Sequence, residues 1–180
     1  GMAGGKIVIK SPIELKNIAS ETVAIGNTCL YGATGGHLFV EGVVGERFAV
    51  RNSGCISVVE GSGDHTCEYM TGGAIIILGS VGNNFGAGMT GGLSFVYDEN
   101  RKLENNLNVQ SVEQMRMTKG KYKKHENFLI KLVKTHYKET GSMRAKRILD
   151  NFDKEIRNFY IIKPKTSNID DLLLIINNAA

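Results

Sequence analysis

Asp64-His65-Thr66-Cys67-Glu68 packs four potential acid, base or metal-ligating side chains into five residues of this 180-residue chain. Read as strand residues they alternate, so His65 and Cys67 are expected to share one face while Asp64 and Glu68 point the other way. Two ligands do not make a zinc site, and no CxxC or HxxxH completes one. A nucleophilic Cys67 would need a lowered thiol pKa; the plainer reading is a corner followed by a packed small hydrophobe. Glu46, Arg47 and Arg51 form a second group, which could bind an anion but is expected to pair internally. Gly82 to Gly92 (GNNFGAGMTGG) offers backbone N–H groups to a phosphate, yet no G-x-x-x-x-G-K-[ST] occurs and no glycine loop opens a helix in a βαβ unit. No Ser-His-Asp, paired-carboxylate or nucleophile-elbow pattern emerges. The expected lists of catalytic, cofactor-binding and metal-ligating residues are therefore all empty.

Those glycines have a structural explanation, because glycine returns every nineteen residues at Gly35, Gly54, Gly73 and Gly92. Gly26 and Gly45 begin a second series that Asp64 and Asn83 continue. One short β-branched run per period (residues 37–41, 56–60, 75–79 and 94–98) leaves no room for a crossover helix. The expectation is a mainly β fold: a right-handed parallel β-helix, a single-stranded solenoid of about nineteen residues per coil, with strands stacked about 4.8 Å apart. The glycines mark corners with positive φ, or places where stacked coils leave no space for a Cβ. Cys29 and Cys67 fall two coils apart, roughly 9 to 10 Å. That distance exceeds disulfide reach, so both are expected as free thiols.

Strict nineteen-residue columns also assign faces. Glu41, Glu60, Gly79 and Asp98 form a column that cannot sit in a dry core, so it faces out. Parity then puts Leu38, Ser57, Ile76 and Phe95, and Val40, Val59, Leu78 and Tyr97, inside. Phe39, Val58, Ile77 and Val96 become an outer apolar stripe that wants covering, either by the chain's own tail or by another domain or subunit. The first and last coils need caps for their strand edges.

Composition divides the chain in two. Residues 1–100 hold twenty of the twenty-two glycines and five Lys/Arg against nine Asp/Glu, whereas residues 101–180 hold seventeen Lys/Arg against nine Asp/Glu. The basic half reads as an amphipathic helix over residues 122–138, with Phe128, Leu129, Leu132, Val133, His136 and Tyr137 on one face and lysines on the other. Gly141 suits its C-cap, and Ser142 starts a second helix carrying Ala145, Ile148, Leu149 and Phe152. Residues 159–162, stopped by Pro164, read as a short strand. The expected organisation is an unstructured or tag-like start over 1–15, the β-helix over 16–110, a helical close over 111–164, and a tail over 165–180 that Leu172 to Ile176 could anchor. The lysines fit a solvated face with no nucleic-acid motif. No run reaches the length of a membrane span, the start has no signal-peptide h-region, and an odd cysteine count fits a reducing, cytoplasmic setting.

The segment from Gly35 to Asp98 closely resembles the C-terminal glycine-repeat (GXGXG) domain of the glutamate synthase large subunit. GERFAVRNSG, VVEGSGDHTCEYMTGG and NFGAGMTGG carry the resemblance. His136 to Ser142 (HYKETGS), then Arg144-Ala145 and Ile148-Leu149, are similar to the family's helical close, so the likeness covers about residues 20–164. It implies a right-handed parallel β-helix that is architectural and holds catalytic domains together. In such an enzyme, ammonia moves from glutamine to 2-oxoglutarate through an amidotransferase domain and a synthase barrel with FMN and iron–sulfur clusters. The partners implied are those amidotransferase and FMN-binding domains or subunits, with a homo-oligomer possible, and the cofactors lie outside this chain. Two alternatives remain. One is a free-standing β-helix subunit of a related amidotransferase, such as methylglutamate synthase, or of a formylmethanofuran-dehydrogenase-like complex. The other is an independent small-molecule or anion-binding module.

Overall fold

The β-branched runs form strands, and the glycines between them let each strand lie directly over the last. In this computed structural model, which describes residues 1–179, β1 (Ala3–Ile9), a 3-10 helix (Ile13–Glu21) and β2 (Val23–Ile25) make the first coil. β3 (Gly35–Val40), β4 (Val43–Val44), β5 (Ile56–Val59), β6 (Gly61–Ser62), β7 (Thr71–Ile77) and β8 (Gly91–Tyr97) follow. β1, β3, β5, β7 and β8 pair in parallel in that order, and β2, β4 and β6 make a second parallel sheet. The fold is a β-solenoid of about four turns. Its C-terminal part adds β9 (Val112–Arg116), α1 (Lys123–Thr140), α2 (Met143–Asp150), α3 (Phe152–Glu155), β10 (Phe159–Pro164) and α4 (Ile169–Ala179). Residues 3–9, expected above to lack structure, are thus a paired strand.

The coils are not all nineteen residues long. His37 pairs with Ile56, Ile56 with Ala74 and Ala74 with Leu93, giving spacings of nineteen, eighteen and nineteen. The shortening falls at a corner: Val43 pairs with Gly61, so the next coil has no counterpart of Gly42, whose φ is +138°. A one-residue slip exchanges the faces of every following strand residue. The strict columns above are therefore right for the first two coils and reversed for the last two. Ile77 and Val96 point inside with Leu38, Val40, Val59 and Ile75, whereas Ile76 and Phe95 join Phe39 and Val58 on the outer face.

The same slip corrects the glycine series. The stacked column is Gly35, Gly54, Gly72 and Gly91, and a Cβ on Gly54, Gly72 or Gly91 would lie 2.2 Å from the carbonyl oxygen of Thr34, Ser53 or Thr71. Steric exclusion, not turn geometry, demands glycine there. In the second series Gly63 and Gly82, rather than Asp64 and Asn83, follow Gly26 and Gly45. Asp64 and Asn83 do not adopt positive φ. Each lies one position on, where Asp64 Oδ1 accepts the Asn83 N–H at 2.6 Å.

The third side of each coil is an arc in which every second residue is left-handed: Thr28, Leu30 and Gly32, then Arg47, Ala49 and Arg51, then His65, Cys67 and Tyr69, then Asn84, Gly86 and Gly88. The cost for L-residues is about 1 kcal/mol each. Coil-to-coil hydrogen bonds hold the arc, with the Ala49, Cys67 and Gly86 N–H groups donating to Cys29, Phe48 and Thr66 at 2.9 Å. Arg51 and Tyr69 N–H donate the other way, to Glu68 and Ala87 at 2.8 Å.

The outer apolar stripe is covered by the chain itself. Leu129, Leu132 and Val133 of α1 and Leu172, Leu173 and Ile176 of α4 share one core with Phe39, Val58, Ile76 and Phe95. Gly141 ends α1 with φ +78°, and Ser142 Oγ accepts the Ala145 N–H at 2.9 Å to start α2, as the pattern requires. Residues 165–179 are no loose tail. His125 Nε2 donates to Ile169 O at 3.0 Å, joining α1 to α4, while Ala180 lies outside the described residues. At the C-terminal end β10 pairs antiparallel with β8, and β9 antiparallel with β10, which leaves β9 as the edge of the sheet. Among the described residues no antiparallel pair is added at the N-terminal end. β1 and β2 are edge strands, Ile7, Val23 and Tyr31 are about half exposed or more, and an apolar cleft of about 310 Å³ opens between Met2, Ile7, Ile9, Leu30 and Leu38.

Two substitutions separate these steric rules in urea unfolding. Gly54→Ala should cost more than about 2 kcal/mol because its Cβ meets a carbonyl. Arg51→Gly, which removes an exposed left-handed L-residue, should leave stability unchanged or raise it by up to about 1 kcal/mol. Equal losses in both would contradict the assignment.

Candidate functional site

The left-handed arc decides what the residues 64–68 can do. His65 and Cys67, both left-handed, nonetheless lie in different surroundings. His65 is partly exposed, whereas Cys67 is fully buried with Sγ 3.5 Å from Ser94 Oγ. His65 Nδ1 instead donates to Glu68 Oε1 at 3.1 Å, and Arg47 Nη1 lies 4.0 Å from Glu68 Oε2 on the coil above. Asn84 Nδ2 sits 3.2 Å from the same imidazole nitrogen and 3.5 Å from Glu68 Oε1, and its Oδ1 accepts from Asn108 Nδ2 at 2.8 Å. The result is a polar ladder running across successive coils. Arg47 does pair internally, but with Glu68 rather than its neighbour Glu46, whose N–H donates to Asn27 Oδ1 at 2.9 Å.

A carboxylate-oriented imidazole is half of a general-base device. The other half is missing, because the nearest thiol points into the core. Burial pushes the Cys67 thiol up to about 12, only slightly offset by Ser94, and pushes Cys55 up to about 12 as well. Neither is a thiolate near neutral pH. All three cysteines are free, as the coil spacing requires of Cys29 and Cys67. Among the described residues no three His, Cys, Asp or Glu side chains converge as a metal site. Two neutral buried thiols and one separate cysteine do not fit an iron–sulfur cluster, which takes four thiolates.

A second cluster lies under the helices. Glu41 and Glu60 leave the solenoid on its outer face, as the charge argument demands, yet they are 0% and 2% exposed. Burial of two stacked carboxylates is tolerable only with partners. Glu41 Oε2 accepts the Ser11 N–H at 3.0 Å, and Lys16 Nζ lies 3.4 Å from Oε1. Glu60 Oε1 accepts from Ser142 Oγ, and His136 Nε2 stands 3.7 Å away. Ser142 thus caps α2 and binds the solenoid at once. Its own N–H donates to Thr140 Oγ1 at 3.1 Å. These carboxylates clamp the 3-10 helix and the α1–α2 elbow to the corners of adjacent coils. The nineteen-residue recurrence of Glu41 and Glu60 was visible in the sequence, but their partners, up to 82 residues away, were not.

This arrangement defines a class: a parallel β-solenoid domain with glycine-stacked coils, sheathed by its own C-terminal helices, whose two buried carboxylates Glu41 and Glu60 tie coils to helices. The family model described as "GXGXG motif" matches residues 1–165, and the chain belongs to that family. It is 51% identical over 176 residues to a ferredoxin-dependent glutamate synthase of Antithamnion sp., covering 98% of this chain and 11% of that protein. The corresponding protein of Cyanidium caldarium is 46% identical over 178 residues. A glutamate synthase [NADH] of Schizosaccharomyces pombe is 46% identical over 165 residues, covering 92% of this chain and 8% of that protein. The chain spans about a tenth of the length of these relatives.

Thiol labelling checks the site geometry. Iodoacetamide at mildly alkaline pH should modify Cys29 in the native protein and leave Cys55 and Cys67 unmodified until the chain is unfolded. Fast native labelling of Cys67 would restore the nucleophile reading.

Proposed function

We propose that this chain is a non-catalytic structural and assembly domain of a glutamate synthase, in which other domains carry amide transfer from glutamine to 2-oxoglutarate. The observation that carries the reading is the unequal finish of the two ends of the stack. One end carries the antiparallel pair β10 and β9, with the polar β9 (VEQMR) as its edge, whereas among the described residues the other presents edge strands β1 and β2 with exposed Ile7, Val23 and Tyr31. An unpaired edge with apolar side chains is a surface that neighbouring polypeptide covers. The family membership and the relatives' names support the same reading, as does the absorption of Cys67, Glu41 and Glu60 into packing. The partners would be amidotransferase and FMN-binding synthase domains, which would also hold the flavin and the clusters. The free thiols accord with a reducing, cytoplasmic compartment.

Affinity capture of the chain from its source should retain polypeptides with glutaminase activity and flavin absorbance. Val23→Lys and Ile7→Glu at the open end should release them without changing the melting temperature by more than a few degrees, and the isolated chain should form no glutamate from glutamine and 2-oxoglutarate. Glutamate formation by the isolated chain, or capture that is indifferent to both variants, would overturn the proposal.

A further inference from the structure

Beside the buried carboxylates lies a group that the packing leaves unmatched. Arg144, in the first turn of α2, donates Nε–H to Leu78 O, and its guanidinium carbon stands 5.7 Å from the centre of the Tyr97 ring. Its side chain is largely withdrawn from water. Burial, and then the charge of Arg147, pull its pKa below the usual arginine value, against the opposing charges of Glu60 and Glu99. Among the described residues no carboxylate lies within ion-pair distance of it. A desolvated guanidinium with its terminal N–H groups unmatched is costly unless an anion meets it.

Arg144 lines a cavity of about 130 Å³ at the corner that follows β7 and β8. The lining also carries Ser80, Asn100, Lys102, Asp98 and Glu99. Its two acids are already engaged. Asp98 accepts the Lys102 and Leu103 N–H groups at 3.1 and 2.8 Å, and Glu99 pairs with Arg147 at 3.2 Å. Its two bases are not, since Lys102, like Arg144, has no ion pair among the described residues. Gly79, where a Cβ would lie 2.4 Å from the Glu60 carbonyl oxygen and 3.2 Å from Arg144 Nη2, lets the guanidinium lie close against this corner. We propose that this cavity is a binding site for a small organic carboxylate, received by the planar fork of Arg144 together with the ammonium of Lys102. The fork suits a carboxylate because two parallel N–H groups match its two oxygens. The site is separate from the open end of the solenoid and stands or falls without it.

The test is titration of the 15N-labelled chain with succinate at constant ionic strength, followed through the amide signals of Ser80, Glu99 and Arg144. The expected result is saturable shifts at millimolar succinate that chloride does not reproduce. Arg144→Met should abolish them, and Lys102→Met, an exposed change that the fold tolerates, should weaken binding about tenfold, the worth of one charge-assisted contact. Arg47→Met, on the distant polar ladder, should bind as the parent does. Linear, non-saturating shifts, equal shifts with chloride, or saturation that survives both Arg144→Met and Lys102→Met would overturn the proposal.

Discussion

The close approach of one backbone to the next is the constraint on which everything else in this molecule rests. Where Gly54, Gly72 and Gly91 pass the carbonyls of Thr34, Ser53 and Thr71, there is no space for even a methyl group. That contact sets the coil spacing, and the spacing brings the arc of each coil within hydrogen-bond distance of its neighbour. Only because those bonds form can Arg47, Ala49, His65 and Tyr69 hold left-handed conformations that L-residues otherwise avoid.

Stacking also repeats whatever side chain a coil carries, and here it repeats carboxylates. Glu41 and Glu60 would repel each other on an open face and be intolerable in a dry one. The C-terminal half of the chain resolves this by bringing Ser142, at the α1–α2 elbow, onto Glu60, while Ser11 and Lys16 meet Glu41. The helices that cover the apolar stripe of Phe39, Val58, Ile76 and Phe95 are thereby fixed in position as well as buried. Apolar burial supplies most of the attraction, and the polar clamps select one docking geometry among the many that a smooth apolar stripe allows.

Much of this was legible beforehand, and the failures have physical causes. The nineteen-residue period implied stacked coils, because no other architecture places one strand in so short a repeat. The 3.6-residue pattern and Gly141 marked α1, and the need to cover an apolar stripe was read correctly. What the period concealed was one shorter coil. Losing the counterpart of Gly42 at a corner changes no residue type in the strands that follow, yet it reverses the faces of Ile76, Ile77, Phe95 and Val96. The arc was invisible for a different reason. Arg47, Ala49, His65 and Cys67 have no intrinsic preference for positive φ, so their conformation is imposed by neighbours rather than encoded locally. His65 and Cys67 were consequently placed on one face, whereas one is partly exposed and the other fully buried. The Glu60 clamp and the unmatched Arg144 depend on contacts of 82 and 66 residues in sequence separation, which no local pattern reports.

Function follows the same logic of engaged groups. Cys67, Glu41 and Glu60 are engaged in inter-coil and helix-to-coil contacts, whereas the apolar edge and the half-buried guanidinium of Arg144 have no such partner among the described residues. The account rests on coils that bond to one another all the way round. Residue-resolved amide hydrogen exchange tests that most directly. Ala49, Cys67 and Gly86, in the irregular arc, should exchange as slowly as Val58 and Ile76 in the central strands. If the arc amides exchange at the rate of ordinary surface turns while the strands remain protected, the coils are not stacked on their third side and the account fails.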